Sequence, residues 1–101
     1  MAYCVIWSDE ASDDLKAIAE YIERDSPRYA AAVVDKITAL TRNLPKFPRL
    51  GRVVPELERE DIRERFMFSY RIVYQLREGS ILIVNVIHGR RQYRHDVSIL
   101  N

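Results

Sequence analysis

Cysteine is nearly absent from this sequence. Cys4 is the only one among 101 residues, so no disulfide can form within the chain. The lack of disulfides fits a reducing compartment, and we expect a cytoplasmic protein. Cys4 lies in an apolar run at residues 3–7, which predicts that its side chain is buried as a small hydrophobe.

Long apolar runs and metal-binding side chains are scarce too. No stretch reaches the ~18 apolar residues that a membrane helix needs, and the first residues do not have the pattern of a secretory signal. Two histidines, one cysteine and three glycines are too few and too scattered to predict a metal cluster or a phosphate-binding glycine loop. We therefore expect no membrane partner, no metal and no cofactor.

Lysine is rare in the second part of the chain, where the positive charge is carried by arginine. The net charge is +1, but residues 1–41 hold eight acidic and four basic side chains, and residues 42–101 hold seven and twelve. Lys46 is the only lysine after residue 41. Arginine suits carboxylates, phosphates and aromatic faces better than lysine does. This division predicts two faces with different partners; the alternative is a solvated surface with local salt bridges.

The first half of the chain predicts one short strand and two helices. Residues 3–7 are apolar and β-prone. Ser8 is a candidate N-cap for a helix that ends at about residue 24, because apolar residues follow it at helical spacing. Ser26-Pro27 begins a second helix, and Pro45 ends it. The connection is so short that the helices should form an antiparallel hairpin.

Strand patterns fill the second half. The first of these strands contains Pro55, which predicts an edge strand. The last is apolar except for Asn85, as in a central strand that is covered on both faces. Glu78-Gly79 predicts a hairpin turn between the last two. The predicted strands cover residues 52–57, 62–68, 70–77 and 81–87.

The order β-α-α-β-β-β-β predicts an α+β fold. A helical hairpin should pack on one face of a small, twisted, mostly antiparallel sheet, with the first strand joining from the far end of the chain. We expect residues 1–101 to form one domain.

The last predicted strand runs directly into a dense cationic cluster. Arginine and tyrosine dominate binding hot spots, and two adjacent arginines at a strand end repel each other unless a partner is present. We therefore expect Arg90, Arg91 and Tyr93 to make the main contact with a target. The run reads Val86-Ile87-His88-Gly89-Arg90-Arg91-Gln92-Tyr93.

Five short motifs accompany these elements in order. They are Trp7-Ser8-x-x-Ala11-x-x-Asp14-Leu15, Gly51-Arg52-x-x-Pro55-Glu56-Leu57, Arg63-Glu64, Tyr70-Arg71-Ile72-Val73-Tyr74 and His88-Gly89-Arg90-Arg91. Together with the element order, they resemble the ParE branch of the ParE/RelE toxin superfamily over about residues 3–93. The resemblance implies the growth-inhibiting toxin of a bacterial type II toxin–antitoxin pair, in a hetero-oligomeric complex with a small antitoxin that neutralises it.

The two branches of this superfamily imply different targets. The ParE branch implies inhibition of DNA gyrase by protein–protein contact, with no catalytic residues and a ParD-like antitoxin. The RelE branch implies ribosome-dependent cleavage of messenger RNA. On that alternative, Arg71 and Arg91 would hold a phosphate and His88 would act as a base. The tyrosine of the RelE-like C-terminal segment has no counterpart, since Val97 stands at its position. A third alternative is a degenerate member that only binds its antitoxin.

Structural roles compete with some of these assignments. Arg71 could instead pair with Glu64 or Glu56 across strands, and His88 could simply bond a backbone carbonyl. The helical hairpin also carries apolar side chains outside its core stripe, which a packed helix rarely needs. We predict that they line a groove between helices and sheet for an amphipathic antitoxin segment. These side chains are Tyr21, Tyr29 and Val34.

Overall fold

The computed structural model describes residues 3–90 and confirms the predicted order of elements. Among these residues, no helix is long and apolar enough to cross a membrane. The elements are β1 (Cys4–Trp7), α1 (Asp9–Glu23), α2 (Pro27–Asn43), a 3-10 turn (Leu44–Lys46), β2 (Arg52–Val53), β3 (Ile62–Met67), β4 (Tyr70–Arg77) and β5 (Ser80–His88).

Both helices begin at the serines that the sequence indicates. The Ser8 hydroxyl accepts a hydrogen bond from the Ala11 N–H at 2.9 Å, and the Ser26 hydroxyl accepts one from the Tyr29 N–H at 3.1 Å. Such caps satisfy backbone donors that the first turn leaves unpaired. Ser8 also donates to the Val84 carbonyl at 2.9 Å, so the start of α1 is tied to the sheet.

The sheet has the strand order β1-β5-β4-β3-β2. The first strand pairs in parallel with β5, and the other pairs are antiparallel. This places β4 and β5 in the centre and leaves β1 and β2 at the edges. The predicted edge strand at 52–57 is too long: only Arg52–Val53 pairs. The chain turns at once after it, where the Leu57 and Glu58 N–H groups both donate to the Val54 carbonyl.

Side chains from both faces of the central strands are buried. The larger core lies between the helical hairpin and the sheet, and a smaller cluster covers the other face. This confirms that β5 is covered on both faces. The larger core contains Ala11, Val33, Ile37, Leu44, Ile72, Tyr74, Ile81, Ile83 and Val86, and the smaller one contains Val54, Ile62, Val73 and Val84.

The prediction that Cys4 is buried is wrong. Cys4 is exposed, and its strand neighbour Ile6 is 47% exposed. Successive side chains of a strand point to opposite faces, and in β1 it is Val5 and Trp7 that pack against the larger core. An apolar run of five residues on an edge strand cannot bury every member.

Candidate functional site

Arg71 lies on the sheet face opposite the helices, since its neighbours Tyr70 and Ile72 pack on the helix side. Arg71 is only 4% exposed. Its Nε donates to Glu64 at 2.8 Å, and both Nη atoms donate to Glu56 at 2.8 Å. The contacts confirm the predicted pairing of Arg71 with both carboxylates, Glu64 across the strands and Glu56 from the turn after β2, in a buried network.

Charges are balanced within this network. A second guanidinium, that of Arg52, donates to the other oxygen of Glu64 and lies 5.4 Å from the centre of the Phe66 ring. The hydrogen bonds with Glu56, working against burial and helped by Glu64, raise the pKa of Arg71 above its usual value. The Arg71 cation is therefore permanently charged and already neutralised by two carboxylates of its own chain.

The end of β5 is fastened to the turn between β3 and β4. The Gly89 N–H donates to the Ser69 carbonyl at 2.6 Å, and a Cβ at Gly89 would lie 3.1 Å from both the Phe66 ring and that carbonyl oxygen. A side chain at this position would push against both neighbours, so glycine fits this close approach best. His88 and Arg90 are exposed on either side of it, and the Arg90 N–H donates to His88 Nδ1 at 3.3 Å.

Five aromatic rings gather at this end of the sheet, which we name the aromatic end. Tyr29 meets Phe68 edge to face at 6.2 Å, and Tyr70 meets His88 at 6.0 Å. Tyr21 is 65% exposed and Tyr29 is 49% exposed. Burial, followed by the nearby Tyr29 and Tyr21, raises the pKa of Tyr70. The members are Tyr21, Tyr29, Phe68, Tyr70 and His88.

Phe68 is a functional candidate that the sequence analysis missed. The alternating pattern predicts that Phe68 ends a strand, but its φ is 57°, in the left-handed region, and its ring is 48% exposed. A bulky residue in this region costs roughly 1–2 kcal/mol, and such strain is concentrated at functional sites. An Asn or Gly would fit this turn with less strain, so the residue type of Phe68 gives no sequence signal of a left-handed turn.

Two open clefts flank His88. One, of about 630 Å³, lies between α1 and β5, where Tyr21 and Tyr70 line it; the other, of about 430 Å³, is lined by Ser69 and Arg90. Within residues 3–90, no group of side chains converges that could hold a metal ion. The aromatic end therefore offers ring faces and one exposed arginine, as a contact surface would.

Comparison with known proteins assigns this arrangement to a family. A family model for the ParE toxin of the type II toxin–antitoxin system parDE matches residues 5–93. The chain belongs to this family. It is the toxin of a type II toxin–antitoxin system within the ParE/RelE superfamily.

Two relatives of this toxin come from Caulobacter vibrioides. Toxin RelE2 is 30% identical over 87 residues, which are 86% of this chain and 96% of the relative. Toxin ParE3 is 28% identical over 87 residues, which are 85% of this chain and 86% of the relative. The two names stand for both branches of the superfamily.

Solved structures share the fold. The chromosomal ParDE system from P. aeruginosa has a TM-score of 0.70 at 20% identity, over 86% of this chain and 96% of that one. The RelBE2 toxin–antitoxin complex from Mycobacterium tuberculosis has a TM-score of 0.56 at 26% identity, over 87% and 99% of the two chains. Both neighbours are toxin–antitoxin systems.

The structure brings together some of the toxin's predicted site residues and separates others. His88 and Arg90 lie at the aromatic end with Tyr21 and Tyr29. Val34 is partly buried, five residues further along α2. Arg91 and Tyr93 lie outside the described residues.

Arg71 and His88 do not face a common site. In the ladder between β4 and β5, His88 is opposite Tyr70, whereas Arg71 is opposite Ile87. Tyr70 belongs to the helix side and Ile87 to the other side, so the two side chains leave the sheet on opposite faces. His88 Nδ1 accepts a hydrogen bond from the Arg90 N–H. The alternative to a functional role in the sequence analysis was a hydrogen bond from His88 to a backbone carbonyl.

Proposed function

We propose that this toxin is ParE-like: it inhibits DNA gyrase by protein–protein contact in the cytoplasm and has no chemistry of its own. A ParD-like antitoxin encoded beside it would neutralise it. The observation that carries the proposal is the burial of Arg71 between Glu56 and Glu64. The match of the ParE family model to residues 5–93 also supports it.

Cleavage of RNA at a 2′-hydroxyl needs a base, a cation that stabilises the phosphorane and an acid for the leaving oxygen, all around one phosphate. The sheet arginine that would supply the cation is Arg71. Its hydrogen bonds are directed at two carboxylates, and it leaves the sheet on the face opposite His88. This geometry favours a binding toxin over a ribonuclease.

The target contact in this proposal is the end of β5. Arg90 is exposed beside the aromatic end, and Arg91 and Tyr93 follow it in sequence. Exposed rings with an arginine are the composition of binding hot spots. The fastening of Gly89 to Ser69 holds this surface in place, which lowers the entropy lost on binding.

A supercoiling assay with purified gyrase, ATP and relaxed plasmid tests the proposal. Addition of the toxin should leave the plasmid unsupercoiled or linearised, and an equimolar amount of the cognate antitoxin should restore supercoiling. Undisturbed supercoiling, together with cut transcripts in ribosome-programmed extracts, would show that the target is wrong.

The antitoxin is proposed to contact Tyr21, Tyr29 and Val34. The exposure of the two tyrosines supports this proposal. Val34→Glu should weaken binding of the antitoxin without unfolding the toxin, because a carboxylate would enter an apolar contact. Ser12→Glu is a matched control, because it also adds one carboxylate and because Ser12 is exposed on α1 about 180° around the helix from Tyr21. Equal capture of both variants by immobilised antitoxin would show that the groove is elsewhere.

A second candidate function is ribosome-dependent cleavage of messenger RNA. It is favoured by the 30% identity to Toxin RelE2 and by the exposed pair of His88 and Arg90, whose side chains lie beside the same cleft. In that case His88→Ala should abolish transcript cleavage in ribosome-programmed extracts and leave the fold intact. A toxin that affects neither gyrase nor transcripts but binds its antitoxin would be a degenerate member of the family.

A further inference from the structure

The turn that follows α2 exposes two large apolar side chains. Phe47 is 67% exposed and Leu50 is 63% exposed. Exposed apolar groups that stand next to each other mark contact surfaces more often than single ones do. The turn lies at the end of β4 that carries Leu76 and Arg77. β4 has eight residues, and Arg77 at this end lies roughly 24 Å from Tyr70 at the other.

Phe47 and Leu50 form a ridge between two clefts. One cleft, of about 470 Å³, lies between α2 and β3, and the other, of about 720 Å³, lies between the turn and Tyr3. Both are lined by cations, and no aspartate or glutamate of residues 3–90 lines either one. We name the ridge and its two clefts the basic pole. Its cations are Lys36, Lys46, Arg49, Arg65 and Arg77.

The ridge is held rigidly from beneath. The Tyr74 hydroxyl, which is fully buried, donates to the Pro48 carbonyl at 2.7 Å and accepts from the Gly51 N–H at 3.1 Å. Arg63 donates to the carbonyls of Arg49 and Gly51 at 3.2 and 3.1 Å. A Cβ at Gly51 would lie 2.7 Å from the Glu64 carbonyl oxygen, so the close turn requires glycine. A surface fixed in this way loses little entropy on binding.

A toxin of net charge +1 that gathers five cations around an apolar ridge presents a surface complementary to an acidic, amphipathic segment. Single-stranded nucleic acid is the less suitable occupant. Its bases stack on aromatic faces, whereas Leu50 on the ridge and the side chains inside the clefts are mostly aliphatic. The side chains inside the clefts include Leu40, Leu44, Met67 and Leu76.

A free strand edge lies beside the same surface. β2 pairs with β3 only at Arg63 and Glu64, so among the described residues Arg65–Met67 has no neighbour on that side. Arg65 and Met67 also line the cleft between α2 and β3. An extended segment that enters this cleft would meet unpaired backbone groups as well as cations and apolar side chains.

We infer that the basic pole binds an acidic segment of the cognate antitoxin, with two apolar side chains of that segment seated on Phe47 and Leu50. This inference rests on the proposed antitoxin partner and adds a second contact surface, which runs from the turn after α2 along the cleft between α2 and β3. Its loss should weaken the complex even when the aromatic end is intact.

The test measures the affinity of the purified toxin for its cognate antitoxin by biolayer interferometry at several salt concentrations. Phe47→Ser/Leu50→Ser should weaken binding by at least ~10-fold, because it removes the apolar anchors of a contact. Lys46→Glu/Arg49→Glu should also weaken binding and reduce its salt dependence, because fewer charges are then paired across the interface.

Matched controls distinguish an effect of the basic pole on binding from the effect of any substitution on the surface. Ile6→Ser removes an apolar side chain of 47% exposure outside both clefts, and Lys16→Glu reverses an exposed charge on α1. Both controls should bind the antitoxin as the wild type does. All variants should keep the wild-type circular dichroism and Tm, because every substituted side chain is exposed. If Phe47→Ser/Leu50→Ser does not fold, Lys46→Glu/Arg49→Glu provides the test.

Two outcomes would overturn the inference, and a third would refute the proposed partner. Wild-type affinity in both pole variants would remove the basic pole from the antitoxin contact. If a labelled 20-nucleotide RNA bound the wild type and not Lys46→Glu/Arg49→Glu, while antitoxin affinity stayed unchanged, the pole would belong to nucleic acid. A wild-type toxin that fails to bind the antitoxin would instead refute the proposed partner, which is a distinct result.

Discussion

Arg71 on β4 and Arg90 just after β5 belong to neighbouring strands and have opposite surroundings. Arg71 is 4% exposed and is held by two carboxylates, whereas Arg90 is exposed beside the aromatic end. In sequence both look alike, as arginines attached to apolar strands. Within residues 3–90, Arg71 has carboxylate partners and Arg90 has none, so the charge of Arg90 is the one available to a partner protein.

The free energy of unfolding should also depend differently on the buried arginine and on the exposed one. Removing one partner of a buried ion pair leaves an uncompensated charge, whereas removing an exposed arginine changes little. Three substitutions test this contrast, in order of decreasing effect on the free energy of unfolding.

Arg71→Ala should have the largest effect. It removes one of the two arginines that pair with the fully buried side chain of Glu64 in the described part of the chain, and it removes the ion pair of Arg71 with Glu56. We expect a loss of about 3–5 kcal/mol in the free energy of unfolding, measured by urea denaturation. Arg52→Ala is the matched control: the Arg52 side chain is 62% exposed, so its loss should cost at most about 1 kcal/mol. Similar losses in the two variants would contradict the contrast.

Tyr74→Phe should have an intermediate effect. It leaves the Pro48 carbonyl and the Gly51 N–H without the Tyr74 hydroxyl as a partner. We expect a loss of about 1–2 kcal/mol in the free energy of unfolding at neutral pH. Burial, opposed by the bond from Gly51, raises the pKa of Tyr74. The stabilisation that Tyr74 gives the folded protein is therefore fully present below the ordinary tyrosine pKa of about 10. It is lost as pH rises through the higher pKa that Tyr74 has in the folded state.

Urea denaturation of the wild type and Tyr74→Phe between neutral pH and the alkaline limit tests this linkage. The stability difference should be constant up to about pH 10 and should narrow above it. Tyr70→Phe is a useful comparison, because Tyr70 also has a raised pKa but, within residues 3–90, has no such pair of backbone bonds. A difference that widens with pH would show that the sign of the linkage is wrong.

Arg90→Ala/Arg91→Ala should have the smallest effect on stability, within about 0.5 kcal/mol. It should nevertheless cut growth inhibition sharply, because it removes the proposed target contact. Plating efficiency after induction measures this effect, and circular dichroism checks the fold. Lys16→Ala/Arg42→Ala, which removes two exposed cations from the helices, should leave toxicity unchanged. A folded Arg90/Arg91 variant that kills as well as the wild type would move the contact elsewhere.

Local patterns predicted most of the fold. The alternation of apolar and polar residues gave β4 its observed bounds, Tyr70–Arg77, and two serines marked the starts of both helices. These features depend on neighbouring residues alone, namely side-chain period and backbone capping. The prediction failed at Cys4, because which face of an edge strand is buried depends on the helix packed above it.

The candidate site was predictable only in part. Tyr21 and Tyr29 were identified because they stand outside the core stripe of the helices, and both are exposed. Phe68 was missed because its left-handed backbone cannot be read from an alternating strand pattern. The basic pole was missed because it joins the turn after α2 to the far end of β4 and the start of β1, which are distant in sequence.

The sequence by itself determined the order of elements, the helix starts, the family and the position of arginine in the second half of the chain. Each of these follows from residue types and their spacing. Only the tertiary structure decided which arginines are neutralised. Glu56 and Glu64 reach Arg71 because a two-residue β2 and the turn after it bring one carboxylate over β4, while β3 brings the other beside it. Electrostatic partners are chosen by distance in space, which spacing along the chain does not encode.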